Sequence, residues 1–234
     1  MYIASYMSPS PVTVGPEESI PAVHRLLQEH KFRHLPVVAA DKTLVGMVTD
    51  RDLRSAFPST VLCESVRQAA LTALAETPVS SIMSTRVTVL TPASTLDDAL
   101  FLLDRERVGA LPVVDASRRV VGVFSVRDLL RAYKELFGVG ERGSALVAVF
   151  DDGQPHPLTR IARALEEHDV TFTRVIRTEH EGRARIYLRV KTFNIRAVQT
   201  ALQAIGFAPE LNLPPESSGE GSENSGGTGS GLVI

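Results

Sequence analysis

The chain has 234 residues, with 25 lysines and arginines against 27 aspartates and glutamates and a formal net charge of −2. That balance supplies no overall electrostatic drive toward nucleic acid or an anionic membrane, and the lack of tryptophan argues against a stacking platform for single strands. The 44% hydrophobic content is enough to fill a core, and the length allows one large domain or two to three small ones. The lone Cys63 can form no internal disulfide, which fits a reducing compartment, and it reads as a small hydrophobe in a helical stretch. Residues 1–11 have neither the basic nor the apolar region of a secretory leader. No apolar run approaches the roughly 20 residues of a membrane helix, so the expectation is a soluble, cytoplasmic protein.

In chain order, Val12–Val14 reads as a short β-branched strand, and Pro16–Ser19 as a helix start before the helically spaced Val23, Leu26 and Leu27. Leu35–Val38 and Leu44–Thr49 read as strands flanking a turn at Asp41–Thr43, and a second helix begins near Asp50. Val61–Ala75 is predicted helical, bracketed by Pro58 and Pro78. The first pattern then returns: a strand at Val87–Leu90, a helix at Thr95–Glu106, strands at Leu111–Val114 and Val120–Phe124, and a helix at Val126–Leu136. Leu35-Pro36-Val37-Val38, Val45-Gly46 and Arg51-Asp52-Leu53 recur as Leu111-Pro112-Val113-Val114, Val121-Gly122 and Arg127-Asp128-Leu129, always 76 residues later. A fixed period marks two copies of one unit, neither able to bury its apolar face alone. Their natural arrangement is a pseudo-twofold pair with two clefts.

Gly138, Gly140 and Gly143 mark a linker, after which residues 144–211 read β-α-β-β-α-β. Ala184, Ile186, Leu188 and Val190 alternate there with Arg183, Arg185, Tyr187 and Arg189, a strand with one covered face. The fold class is therefore α+β. Residues 1–137 hold a βαββα pair, with repeat one at about 7–56 and repeat two at about 83–136, followed by a βαββαβ unit of ferredoxin-like type. Residues 212–234 are rich in glycine, serine and glutamate and are predicted to be disordered.

Two stretches carry chemistry: Gly46 to Asp52, and Gly122 to Asp128. Each ends a strand and opens a helix with a hydroxyl (Thr49, Ser125) three residues before a carboxylate. A helix N-terminus with a hydroxyl beside it can receive phosphate, and a carboxylate one turn on can accept from both ribose hydroxyls. The same spacing is equally a capping box, worth about 1 kcal/mol, and Thr95-Leu96-Asp97-Asp98 shows it outside either stretch. Arg51 and Arg127 add cations in first helical turns, where the macrodipole opposes them unless an anion compensates. Catalysis finds little support. No Ser/His/Asp or Cys/His arrangement sits in a legible motif, no phosphate-binding glycine loop of the P-loop type occurs, and the six histidines form no metal-ligand pattern.

The paired Leu-Pro-Val-Val and Gly-x-x-[Thr/Ser]-x-x-Asp segments, each preceded by Val-Thr-Val, resemble a tandem cystathionine-β-synthase (CBS) domain pair, or Bateman module. That resemblance implies an adenosyl ligand between the repeats: AMP, ADP or ATP, with S-adenosylmethionine as a further candidate, acting as regulatory ligand and not as cofactor. It implies ribose contacts from Asp52 and Asp128 and phosphate contacts from Thr49, Ser125, Arg33, His34, Arg51 and Arg127. The base pocket would comprise Thr13, Val14, Thr88, Val89, Leu35, Pro36, Leu111 and Pro112. Gly109 and Ala110 stand where repeat one has Arg33 and His34, so the clefts should be unequal; an unperturbed His34 would also make binding pH-sensitive.

Residues 144–211 resemble an ACT domain, although Pro155-His156-Pro157-Leu158 replaces that family's Pro-Gly-x-Leu. Arg183, Arg185 and Arg189 are expected on a solvated or subunit-facing sheet face. The whole order resembles the bacterial acetoin-utilisation B proteins. That implies a non-catalytic homodimeric sensor of adenine nucleotide, signalling through dimer contacts or an unidentified protein partner, with acetoin or acetyl-CoA metabolism as its setting. An amino-acid-responsive regulator acting through the ACT-type unit, a purely structural assembly subunit and a cryptic enzyme that turns over nucleotide are the rival readings.

Overall fold

A computed structural model describes residues 1–59, 61, 63–180 and 182–211. The predicted disordered tail of 212–234 lies outside them. The chain divides into two compact units, Met1–Leu136 and the residues from Phe137 onward.

In the first unit, repeat one comprises α1 (Ile20–His30), the antiparallel strands β2 (His34–Val38) and β3 (Leu44–Thr49), and α2 (Asp50–Ala56). Here β1 is the short preceding strand Ser8–Pro9. Repeat two repeats the order as α4 (Leu96–Glu106), β4 (Ala110–Val114), β5 (Val120–Ser125) and α5 (Val126–Phe137), and α3 (Glu64–Ala75) joins the two. The helices form because their apolar residues fall on one face: Ile20, Val23 and Leu27 on α1, and Leu96, Ala99 and Leu103 on α4, are buried against the strands. Helices α1 and α4 both stop at left-handed residues, Lys31 and Arg107.

The expected strands at Val12–Val14 and Val87–Leu90 shrink to single parallel bridges, Val14 to Val37 and Leu90 to Val113. Pro11, Pro16 and Pro92 leave these segments without the donors a longer ladder needs. The expected helix at Val61–Ala75 begins only at Glu64.

Each repeat is completed by a segment that precedes the other one. Ile3 and Tyr6 enter the repeat-two core beside Leu96, Leu111, Phe124 and Leu129, and β1 pairs with β5. Val79, Ile82 and Met83, the same segment 76 residues later, pack into the repeat-one core beside Ile20, Leu35, Val48 and Leu53. Met47 and Ser84 exchange two 2.9 Å backbone hydrogen bonds. The two hairpin turns also meet: Leu44 N–H donates to Arg118 carbonyl at 3.0 Å, and Val120 N–H donates to Lys42 carbonyl at 3.2 Å. The pseudo-twofold therefore runs through straps, cores and turns alike.

The second unit is β6 (Ser144–Phe150), α6 (Pro157–Glu167), β7 (Thr171–His180), β8 (Arg183–Lys191), α7 (Ile195–Ala204) and β9 (Pro209–Leu211). Its sheet is antiparallel in the order β7-β8-β6-β9, the split βαβ arrangement. Ile186, Leu188 and Val190 face a core with Ile161, Leu165, Val198 and Leu202. On the other face the Arg185 guanidinium lies 4.5 Å from the Phe150 ring centroid, and Arg189 Nε donates to Phe137 carbonyl at 3.0 Å. His156, at the N-cap position of α6, adopts the left-handed conformation (φ 56°).

Candidate functional site

The site residues of repeat one gather where β2 begins and β3 runs into α2. Register places His34 opposite Thr49, and Asp50 N–H donates to Arg33 carbonyl at 3.0 Å. Thr49 donates to Asp52 Oδ2 from its hydroxyl at 2.7 Å and from its backbone at 2.9 Å, while Asp52 N–H donates back to Thr49 Oγ1 at 3.2 Å. This is a closed capping box. It engages only one oxygen of the half-buried carboxylate; among the described residues Asp52 Oδ1 has no protein partner.

His34, a phosphate-side candidate in the sequence, is half-buried at the start of β2. Its ring lies across the pseudo-twofold against Gly109, where an added Cβ would sit 2.8 Å from Cε1. Glycine at the position equivalent to Arg33 makes room for that ring. Burial lowers the His34 pKa below its ordinary value, and the Arg33 charge lowers it further, against a smaller opposing effect of Asp52. The imidazole is therefore neutral near pH 7 and offers a hydrogen bond in place of a charge.

In repeat two the same box closes between Ser125 and Asp128, with the hydroxyl contact at 2.7 Å. Here the second oxygen is occupied. Arg131 Nη2 donates to Asp128 Oδ1 at 3.0 Å and also to Tyr6 carbonyl. Asp128 is 7% exposed and is the one polar residue among the buried set of described residues. Ser55 occupies the Arg131 position in repeat one, so only the second carboxylate is tied to a strap. Arg51 and Arg127 are exposed in the first turns of α2 and α5.

The predicted base-pocket residues divide by strand face. Leu35, Leu111 and Val14 lie in the cores of their repeats, which leaves Pro36, Pro112 and Thr13 to face away from those cores. The bridges also show that Val14 corresponds to Leu90. The repeat-two partner of Thr13 is therefore Val89, and Thr88 stands one residue early. The Val-Thr-Val likeness is thus out of step with the 76-residue period by one.

Several contributors escaped sequence reading. A Cβ on Gly46 would come within 2.5 Å of Met83 Sδ, and one on Gly122 within 2.6 Å of Met7 Sδ. These glycines are strap seats, and the signal was the same period carrying Met7 onto Met83. Thr95 and Asp98 form the third box, with hydroxyl contact at 2.8 Å, so the box alone specifies no ligand. Cys63 is exposed in front of α3 and not a buried hydrophobe; its pKa is lowered mainly by a contact with the Ser65 hydroxyl. Two cavities of about 450 Å³ lie elsewhere, one at the β6–α6 loop beside Asp151, His156 and Arg177 and one on α4. Among the described residues no cluster of metal-binding type occurs, and no helix is long and apolar enough to cross a membrane.

Comparison with known proteins places this geometry. The model of the CBS domain family matches residues 3–59 and 79–135, which includes both straps. A CBS domain-containing protein of Dictyostelium discoideum is 34% identical over 128 residues, 55% of this chain and 88% of that protein. Homoserine O-acetyltransferase of Methanohalobium evestigatum is 28% identical over 57% of this chain and 24% of the enzyme. Inosine-5'-monophosphate dehydrogenase of Methanocaldococcus jannaschii is 26% identical over 78% of this chain and 33% of the enzyme. The matches thus span about a quarter and a third of these two relatives. Among solved structures, CBSX2 of Arabidopsis thaliana is 29% identical with a TM-score of 0.50, covering 58% of this chain and 95% of that one. CBSX2 in complex with AMP gives 28% identity and a TM-score of 0.49 over 58% and 97% of the two chains.

Proposed function

The chain belongs to the CBS-domain family, a regulatory and non-catalytic architecture, and from that premise we propose that it senses an adenine nucleotide in the cleft between its two repeats. The observation that carries the proposal is the carboxylate of Asp52. It is half-buried in the first turn of α2, fixed by its box through Oδ2, and has Oδ1 left to accept from a ribose hydroxyl. His34, opposite Thr49 in the register, lies near enough to feel the Asp52 charge. Asp128 is the second ribose contact, available once Arg131 yields its place. Thr49, Ser125, Arg51 and Arg127 stand at the phosphate side, and Thr13, Val89, Pro36 and Pro112 at the base. Occupancy then shifts the population of strap and cleft arrangements, and a homodimer contact or a protein partner reads the shift. Acetoin or acetyl-CoA metabolism as the setting belongs to the same proposal and rests on the order of the domains, a CBS pair before a βαββαβ unit of ACT type.

AMP is the probe to use first, because CBSX2 has been crystallised with it. Ligand at one hundred times its Kd stabilises a protein by about 2.7 kcal/mol, which is several degrees of Tm for a chain of this size. Asp52→Ala should abolish most of that shift. Asp98→Ala removes an identical cap outside the cleft. It should lower the ligand-free Tm by a similar amount, about 1 kcal/mol of stability, and leave the AMP shift whole. Equal AMP responses from the two variants would reduce the Thr49–Asp52 box to a helix cap and end the proposal.

A further inference from the structure

The outer side of the second unit's sheet gathers aromatic rings and cations on its two central strands. Strand order puts β8 and β6 in the middle, and both helices pack on the opposite side, where Ile161, Leu165, Val198 and Leu202 meet Ile186, Leu188 and Val190. Register fixes what the outer side carries. Leu146, Ala148 and Phe150 of β6 stand opposite Arg189, Tyr187 and Arg185 of β8, and Arg174, Ile176 and Thr178 of β7 stand opposite the same three. Directly opposed residues share a face. Phe150 is 37% exposed and Tyr187 is half-buried. They are diagonal neighbours across β6 and β8, about 7–8 Å apart.

Charge on this side has one prevailing sign. Alternation along β8 adds the exposed Arg183 and Lys191 to Arg185 and Arg189, and β9 sets the carboxylate of Glu210 opposite Ala148. Arg174 is held by Glu141 at 3.0 Å, and Arg189 donates to the Phe137 carbonyl. The pair of Arg185 with Glu210 is loose, at 3.8 Å between exposed groups, and the Arg185 guanidinium instead lies over the Phe150 ring. The net charge of −2 on the whole chain therefore conceals a local excess of cations. Arg183 and Lys191 are eight residues apart on one strand, about 27 Å, with the aromatic pair between them.

We propose that this face binds single-stranded nucleic acid, with neighbouring bases stacked on Tyr187 and on the Phe150–Arg185 pair and with phosphates on Arg183 and Lys191. Four-stranded sheets with aromatic side chains on their central strands stack splayed bases in this way, and every base has a face that such a ring accepts. A duplex keeps its base faces stacked and offers none to the rings. An acidic polypeptide would use the cations and leave the rings without a role. A second copy on this face would set arginine against arginine. The inference goes beyond the nucleotide reading and uses none of the cleft residues.

Fluorescence anisotropy of the full chain with labelled dT12 and U12 tests it at 50 mM salt. Both strands should bind saturably, and the 12-base-pair duplex and polyglutamate of equal charge at least tenfold more weakly. Phe150→Ala/Tyr187→Ala should weaken strand binding at least tenfold while keeping its far-UV spectrum and cooperative unfolding, and Phe150→Tyr/Tyr187→Phe should bind like the wild-type chain. Arg183→Gln/Lys191→Gln should bind more weakly and lower the slope of log affinity against log salt by about 1.4, the share of two phosphates on a single strand. Absence of strand binding overturns the proposal. So does polyglutamate binding as tight as the strand's, or strand binding indifferent to loss of both rings. Competition by AMP would place the strand in the cleft and overturn it as well. Asp52 is intact in every variant, so failure of the nucleotide reading would leave the other outcomes unchanged.

Discussion

Repeat one and repeat two share a backbone plan and differ in what they do with it. Both accept a strap from the segment that precedes the other, both seat a methionine on a glycine, and both close a hydroxyl–carboxylate box at the strand-to-helix junction. In repeat one the box leaves Asp52 Oδ1 open, and His34 reaches across to Gly109. In repeat two Arg131 closes the second oxygen and reaches the strap at Tyr6. Duplication preserved the parts that hold the pair together. The parts that would contact a ligand have diverged, which is where an asymmetric sensor needs its differences.

The shared part is tested most severely at the strap seats. Gly46→Ala and Gly122→Ala each force a methionine sulfur out of a contact shorter than 3 Å, beside backbone carbonyls at 3.1 and 3.2 Å. Overpacking of this kind costs about 1–3 kcal/mol, or several degrees of Tm. Met83→Ala should recover part of the Gly46→Ala loss and none of the Gly122→Ala loss, and Met7→Ala the reverse. Urea midpoints of the four single, two matched double and two mismatched double variants would measure this. Losses that ignore the matching would mean the straps do not cross as described.

Much of this was legible in the sequence because the period was. Leu35-Pro36-Val37-Val38 and its copy gave the buried strands, and the alternation at residues 184–190 gave the covered sheet face of the second unit, since both follow directly from burial. The swapped straps were not legible. Ile3, Tyr6, Val79 and Ile82 carry apolar side chains whose destination is set by the partner repeat and not by local periodicity. The Val-Thr-Val likeness misled by one residue because a single bridge, not a ladder, fixes that segment. The site was half legible: the spacing of hydroxyl and carboxylate was plain, but that Arg131 occupies one carboxylate and not the other depends on a contact 125 residues apart in sequence, to Tyr6.

That difference gives a milder test. Arg131→Ala frees Asp128 Oδ1 and releases the strap contact at Tyr6. Because Arg131 is 60% exposed, its ion pair is screened and its loss should cost under about 1 kcal/mol. Its effect on AMP should be larger in proportion. Calorimetric titration of this variant should show tighter binding at a second site that Asp128→Ala removes and Asp52→Ala leaves. A titration identical to that of the wild-type chain would mean that Arg131 is only a structural clasp and that the clefts are unequal for some other reason.

His34 gives the smallest effect, and one that only repeat one can show, since Ala110 stands in its place in repeat two. Its folded pKa is lowered by burial and by Arg33, whereas an unfolded histidine titrates near 6.5. Above that value both states are neutral and His34 contributes no slope. As pH falls below about 6.5 the unfolded chain binds a proton that the folded chain refuses, so stability declines. The decline ends once pH has passed through the lowered folded value and both states are protonated. His34→Gln removes this contribution while every other histidine remains. Its urea midpoint should therefore drop less between pH 7.5 and 5.5 than that of the wild-type chain. Parallel declines would place the His34 ring in water instead of against Gly109. Phosphate bound beside the ring would favour the protonated form, so AMP affinity should rise over the same descent in pH in the wild-type chain and stay flatter in His34→Gln.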